Sequence, residues 1–96
     1  MYSAHKKRDL RVARLFKLVS SPTRVSILMA LSAKKTLVVT DIAKAVGMTH
    51  SAVSHQLGLL SRADIVASVR QGRTVRYAIA KNTQARALVR SLVVLG

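Results

Sequence analysis

Met48-Thr49-His50-Ser51-Ala52-Val53-Ser54-His55-Gln56-Leu57-Gly58-Leu59-Leu60 decides how this chain folds. Val53, Leu57 and Leu60 recur at i, i+4, i+7, the spacing of a stripe that faces a core. Ser51, Ser54, His55 and Gly58 share a second side that is small and polar and has no carboxylate. Such a side is built for close approach. Thr49 is placed to cap the helix. Met48 and Val53 occupy the two positions of a hydrophobic staple, which sets the angle at which the chain enters. Just upstream, Gly47 suits the left-handed end of a short helix over 41–46, in which Ile42 and Val46 share a face. Thr40 is expected to cap that helix, and Asp41 complements its positive end. A short helix, a glycine turn and a second capped helix form a helix-turn-helix signature.

Working outward, Val12, Leu15, Phe16 and Val19 fall at i, i+3, i+4, i+7 and predict an amphipathic helix over 8–20, with Lys7, Arg11 and Arg14 on its other face. Pro22 disfavours helical geometry at Ser21 and opens the next helix at its first turn. That helix points Val25, Leu28 and Leu31 inward and ends near Lys34-Lys35. After Asp64 the period changes to two. Val75, Tyr77 and Ile79 alternate with Thr74, Arg76 and Ala78, and 66–70 is a second strand, with Gln71-Gly72-Arg73 at the tip of the hairpin. Asn82 or Thr83 caps a last helix over 83–95, striped by Ala85, Leu88, Val89 and Leu92. The expected fold is mostly α with a small β-hairpin (α+β), in the order α-α-α-α-β-β-α. This is a winged helix-turn-helix with extra helices at both ends, in a single domain over 1–96.

Composition points to the partner. The 96 residues hold 17 Lys and Arg against 3 acidic residues, a formal net charge of +14. So strong an imbalance repels itself and favours a polyanion. The candidates are DNA, RNA and an acidic membrane surface. The chain has no cysteine, which excludes disulfides and thiolate metal sites within it. Its apolar runs are far too short to span a membrane, and its basic N-terminus lacks the apolar block of a cleaved signal peptide. A cytoplasmic location is the default expectation.

Leu15-Phe16-Lys17, Ser21-Pro22-Thr23-Arg24, Ile27-Leu28, Asp41-Ile42-Ala43, Ser51-Ala52-Val53-Ser54-His55-Gln56-Leu57, Leu60, Ala63 and Gly72-Arg73-Thr74-Val75-Arg76-Tyr77 together resemble the ArsR/SmtB family of winged-helix repressors. The resemblance covers roughly residues 10 to 80. It implies a homodimer built from the first and last helices, reading a near-palindromic operator with recognition helix 49–61 and a basic wing around 70–76. The apolar stripes support the dimer independently, because Val12, Leu15, Phe16 and Val19 with Leu88, Val89 and Leu92 exceed what so small a core needs. The alternative is that both stripes pack internally. The chain also departs from the family. Val38 and Thr40 stand where metal-sensing members often carry a Cys-x-Cys pair, and the last helix lacks the Asp and His ligands that others use. Neither familial metal site is expected, nor a cofactor, and the effector is unknown. Asp64 replaces the usual glycine after Ala63, a position where Asp tolerates a left-handed backbone better than most residues.

The candidate DNA contacts follow from these faces. Thr49, His50, Ser51, Ser54 and His55 lie on or beside the open side of the recognition helix, and Gln56 can read adenine if it points into the groove. Arg70, Arg73 and Arg76 give the wing a means to follow phosphates or enter the minor groove. Thr40, Lys44 and Arg62 are candidate backbone contacts. The cluster Lys6-Lys7-Arg8 is either a DNA-contacting arm or a solvated terminus. Arg24 is expected to be structural. His50 and His55 lie five residues apart, a poor chelating geometry. An enzyme is not expected: the chain has no Glu or Cys, its three Asp are scattered, and the spacing yields no His-Asp-Ser set. The two readings carried forward are a sequence-specific dimeric regulator and an architectural protein that coats DNA with little sequence preference.

Overall fold

The computed structural model describes residues 5–96. Its elements are α1 (Lys6–Leu18), α2 (Pro22–Ala33), β1 (Leu37–Val38), α3 (Val39–Val46), α4 (His50–Arg62), β2 (Val66–Gln71), β3 (Thr74–Ile79) and α5 (Thr83–Leu95). The strands form one antiparallel sheet in the order β1-β3-β2.

The core follows the helical stripes. Val53, Leu57 and Leu60 of α4 are each 0% exposed and pack with Ile27, Leu28, Leu31, Ile42, Ile65 and Val66. In α2 the buried face centres on Ile27, Leu28 and Leu31, and Val25 is only half-buried. Pro22 occupies the first turn of α2, where Ser21 Oγ accepts the Arg24 amide at 3.3 Å. Among the described residues no polar or charged side chain is buried.

The turns take the backbone conformations their residues allow. Gly47 closes α3 at φ 69, and Asp64 holds φ 59 after α4. The hairpin pairs Gln71 with Thr74, so only Gly72 and Arg73 lie between the strands. Gly72 has φ 64 and Arg73 does not enter the positive region, the pattern of a type II′ turn. Asn82 caps α5 by accepting the Ala85 amide at 2.8 Å, and its Nδ2 donates to the Asp64 carbonyl at 2.9 Å.

Several expectations need correction. The first helix runs from Lys6 to Leu18 rather than over 8–20, so Lys6, Lys7 and Arg8 form its first turn and not an arm. A third strand, β1, precedes α3. Because Leu37 pairs with Tyr77 and Val38 with Arg76, the chain passes directly from the sheet into the helix. Val38 therefore takes the N-cap position, without a side-chain cap bond, and Thr40 lies inside the first turn instead of capping it.

The molecule is elongated, 54 × 26 × 21 Å. Its radius of gyration is 14.3 Å, against about 12.5 Å for a compact chain of this length. Helix α1 has no buried residue.

Candidate nucleic-acid interface

Helix α4 is held on one side and open on the other. Thr49 Oγ1 accepts the Ala52 amide at 3.1 Å, which leaves the hydroxyl proton free to donate outward. Met48 is half-buried and packs against the core to which Val53 belongs. On the outer side Thr49, His50, Ser51 and His55 are exposed, and Ser54 and Gly58 are half-buried. A methyl group added at Gly58 would meet only the guanidinium of Arg62, at 3.7 Å. Arg62 thus lies back along α4 over the glycine. From His50 to Arg62 the helix carries no carboxylate.

Gln56 does not belong to the open side. Its Oε1 accepts a hydrogen bond from Arg24 Nε at 2.9 Å in a half-buried setting. Arg24 Nη1 also reaches the Leu18 carbonyl at 3.4 Å. The side chain assigned to adenine reading is instead tied to the α1–α2 corner. The expectation that Arg24 is structural agrees with these bonds.

The wing arginines do not form one cluster. Arg70 pairs with Val75 and so shares the sheet face of Val75, Tyr77 and Ile79. Arg76 pairs with Val38 and Val69 on the opposite face, where its Nη1 approaches Thr36 Oγ1 at 3.4 Å. Arg73 stands at the exposed tip. A groove between the wing and the starts of α3 and α4 is lined by Thr40, His50, Arg73, Thr74, Val75 and Tyr77, among others. The fold therefore brings Thr40, His50 and Arg73 around one depression beside the open side of α4. Lys44 is exposed in the last turn of α3.

The apolar stripes divide between two tasks. Ala85, Leu88 and Val89 are 0, 6 and 7% exposed, so α5 spends that stripe on the chain's own core. Leu15, Val19 and Leu92 are half-buried. What stays open is Val12 at 43% and Phe16 at 59%, with Leu10 and the α5 end Val93, Val94 and Leu95. Val12, Leu15, Phe16 and Leu88 line one groove between α1 and α5. Sequence periodicity missed β1, which is too short to show a period, although Leu37-Val38-Val39 is rich in β-branched residues. It also missed the Arg24–Gln56 bond, whose partners lie 32 positions apart. Among the described residues no group of three His, Cys, Asp or Glu is placed to hold a metal ion, and no helix is long and apolar enough to cross a membrane.

A reading helix behind a glycine turn, followed by a two-stranded wing on a short sheet, defines a winged helix-turn-helix protein. The family described as "Bacterial regulatory protein, arsR family" matches residues 21–68, and this chain belongs to it. The HTH-type transcriptional regulator NmtR of Mycobacterium tuberculosis is 41% identical over 69 residues, 72% of this chain and 57% of that protein. A transcriptional repressor SmtB homolog of Synechocystis is 39% identical over 72 residues, 75% of this chain and 54% of that one. The match thus spans little more than half the length of these relatives. The homodimeric winged helix-turn-helix DNA-binding domain Mb0332 from Mycobacterium bovis superposes with a TM-score of 0.78 at 32% identity, covering 97% of this chain and 87% of that chain.

Proposed function

We propose that this chain is a homodimeric, DNA-binding transcription regulator that acts as a repressor. The observation that carries the reading is the division of α4. Val53, Leu57 and Leu60 are fully buried, while Thr49, His50, Ser51 and His55 face outward from a helix without carboxylates. In this reading the outer side enters a major groove. Ser51, Ser54 and His55 address base edges, Thr49, Thr40 and Lys44 hold phosphates, and Arg73 at the wing tip follows the adjacent backbone or minor groove. Arg70, Arg76 and Arg62 add positive charge around that contact.

Two copies join through the α1–α5 groove. Val12 and Phe16 are the exposed apolar anchors, Leu15, Val19 and Leu92 the half-buried flank, and Leu88 the floor, while Val89 stays in the chain's own core. That a solved neighbour is homodimeric supports the assembly of two copies. A dimer places two copies of α4 one helical turn apart on a near-palindromic operator. The regulator works in the cytoplasm, catalyses no reaction and uses neither familial metal site, since Val38 and Thr40 offer no thiolate and α5 carries no Asp, Glu or His.

Selection of bound duplexes from a random pool tests the reading. Enrichment of a two-fold symmetric sequence supports it, and recovery of the pool unchanged overturns it. The architectural alternative draws support from exposed Lys34, Lys35, Arg86 and Arg90, which lie off the reading side. A regulator prefers its site by about 10³-fold or more, whereas a coating protein gives a ratio of about one.

A further inference from the structure

Lys7, Arg14 and Lys17 of α1 lie clear of both the reading helix and the dimer groove, and Arg11 stands at the border with that groove. Lys7, Arg11, Arg14 and Lys17 line two adjoining grooves that share Arg14, Leu18 and Ala63. Ala63 ends α4, so the grooves begin where the reading helix stops. No carboxylate lines either groove. All four cations are exposed, and among the described residues the salt bridge is Arg8 with Asp9. On a helix Arg14 projects about 200° from Val12, and Lys7 about 180° from Phe16. A dimer seated on Val12 and Phe16 therefore leaves this flank open. Lys7 to Lys17 spans about 15 Å of helix, long enough to meet about three phosphates of one strand.

We propose that this flank of α1 is a second duplex-contacting surface, which binds phosphates outside the base pairs that α4 and the wing address. The proposal rests on the DNA-binding reading above and extends its footprint. An acidic lipid surface is the less suitable partner, because a helix lying in a bilayer must bury its apolar side. Here Val12 and Phe16 are committed to the second copy.

The test is a salt titration of binding to a mixed-sequence 40-base-pair duplex. The proteins are the full chain, the K7Q/R14Q/K17Q variant, and a charge-matched K34Q/K35Q/K81Q variant altered at the opposite end of α2. All the substituted side chains are exposed, and circular dichroism and sedimentation check fold and assembly. Each lost phosphate contact removes about 0.9 from the slope of log affinity against log salt. The α1 variant should lose about 2.7, so its decline between 50 and 200 mM salt is about 40-fold smaller, and the matched variant should keep its slope. An unchanged slope in the α1 variant overturns the proposal. An equal loss in both variants also overturns it, because total charge then accounts for the effect. Binding to phosphatidylserine vesicles that the α1 variant loses, with duplex slope intact, overturns it in favour of a membrane. Failure of the unaltered chain to bind duplex at all sinks the DNA-binding reading itself, and is distinct from these results.

Discussion

Removing the amide of Gln56 should loosen the seating of α4 without erasing a base contact. The Arg24 Nε–Gln56 Oε1 bond is 2.9 Å long and half-buried, and its donor is charged. Hydrogen bonds to charged groups contribute about 1.5–3 kcal/mol when sheltered. Partial exposure of this pair lowers the expected cost to about 1–2 kcal/mol. The long contact from Arg24 Nη1 to the Leu18 carbonyl, at 3.4 Å, cannot replace it. For a domain of this size Gln56→Ala should lower Tm by roughly 4–16 °C, compared at one protein concentration because assembly shifts the midpoint. The assay is a double-mutant cycle in urea with Arg24→Met, Gln56→Ala and the double variant. A coupling of about 1 kcal/mol is expected, well beyond the 0.3–0.5 kcal/mol scatter of independent sites. Base preferences from a selected pool should be the same for Gln56→Ala as for the unaltered chain, with affinity reduced uniformly. Additive stabilities, together with loss of an adenine at one operator position, would refute the reasoning and return Gln56 to the groove.

Four other outcomes follow from the same geometry. Leu57→Ala, at a position with 0% exposure, should cost about 2–5 kcal/mol, read from the urea midpoint. Phe16→Glu places a charge on a side chain that is 59% exposed and should leave the chain folded but monomeric by sedimentation equilibrium, with operator affinity reduced; a dimer that persists at micromolar concentration contradicts the proposed interface. Ser51→Glu introduces a carboxylate on the open side of α4, and operator affinity should fall by more than about 10-fold while stability holds or rises by about 0.3–1 kcal/mol, because the charge sits in the first turn of the helix. Gly72→Val forces a branched side chain into φ 64 and should cost about 1–3 kcal/mol, measured as a change in stability and in the protection of hairpin amides from exchange.

What the sequence disclosed depended on how local the cause was. The burial of Val53, Leu57 and Leu60 follows from their spacing alone, and the left-handed turns at Gly47 and Asp64 follow from residue type. Thr40 misled because capping preference is a local tendency, and here the pairing of Val38 with Arg76 starts the helix two residues earlier. Periodicity identified the stripe at Leu88 and Val89 as apolar but could not tell the chain's own core from a partner's surface. The wing arginines lie in a strand pattern that sequence could number, yet which face each takes depends on register. Gln56 could be placed on α4 by helical arithmetic, whereas its tie to Arg24 exists only once α2 and α4 are packed together.

Asn82 uses both ends of one amide: its oxygen starts α5, and its nitrogen holds the carbonyl of Asp64 at the exit of α4. It works beside the backbone bond from the Ala80 amide to the Ile65 carbonyl at 2.9 Å, so the start of the final helix is fastened to the segment that leaves the reading helix by main chain and side chain together. Few residues can serve there. Aspartate keeps the helix start and forfeits the tether, serine and threonine are too short for both, and glutamine is too long to close the first turn. Substitution tolerance at this position should be narrower than at an ordinary helix start, and the stricter demand comes from the tether.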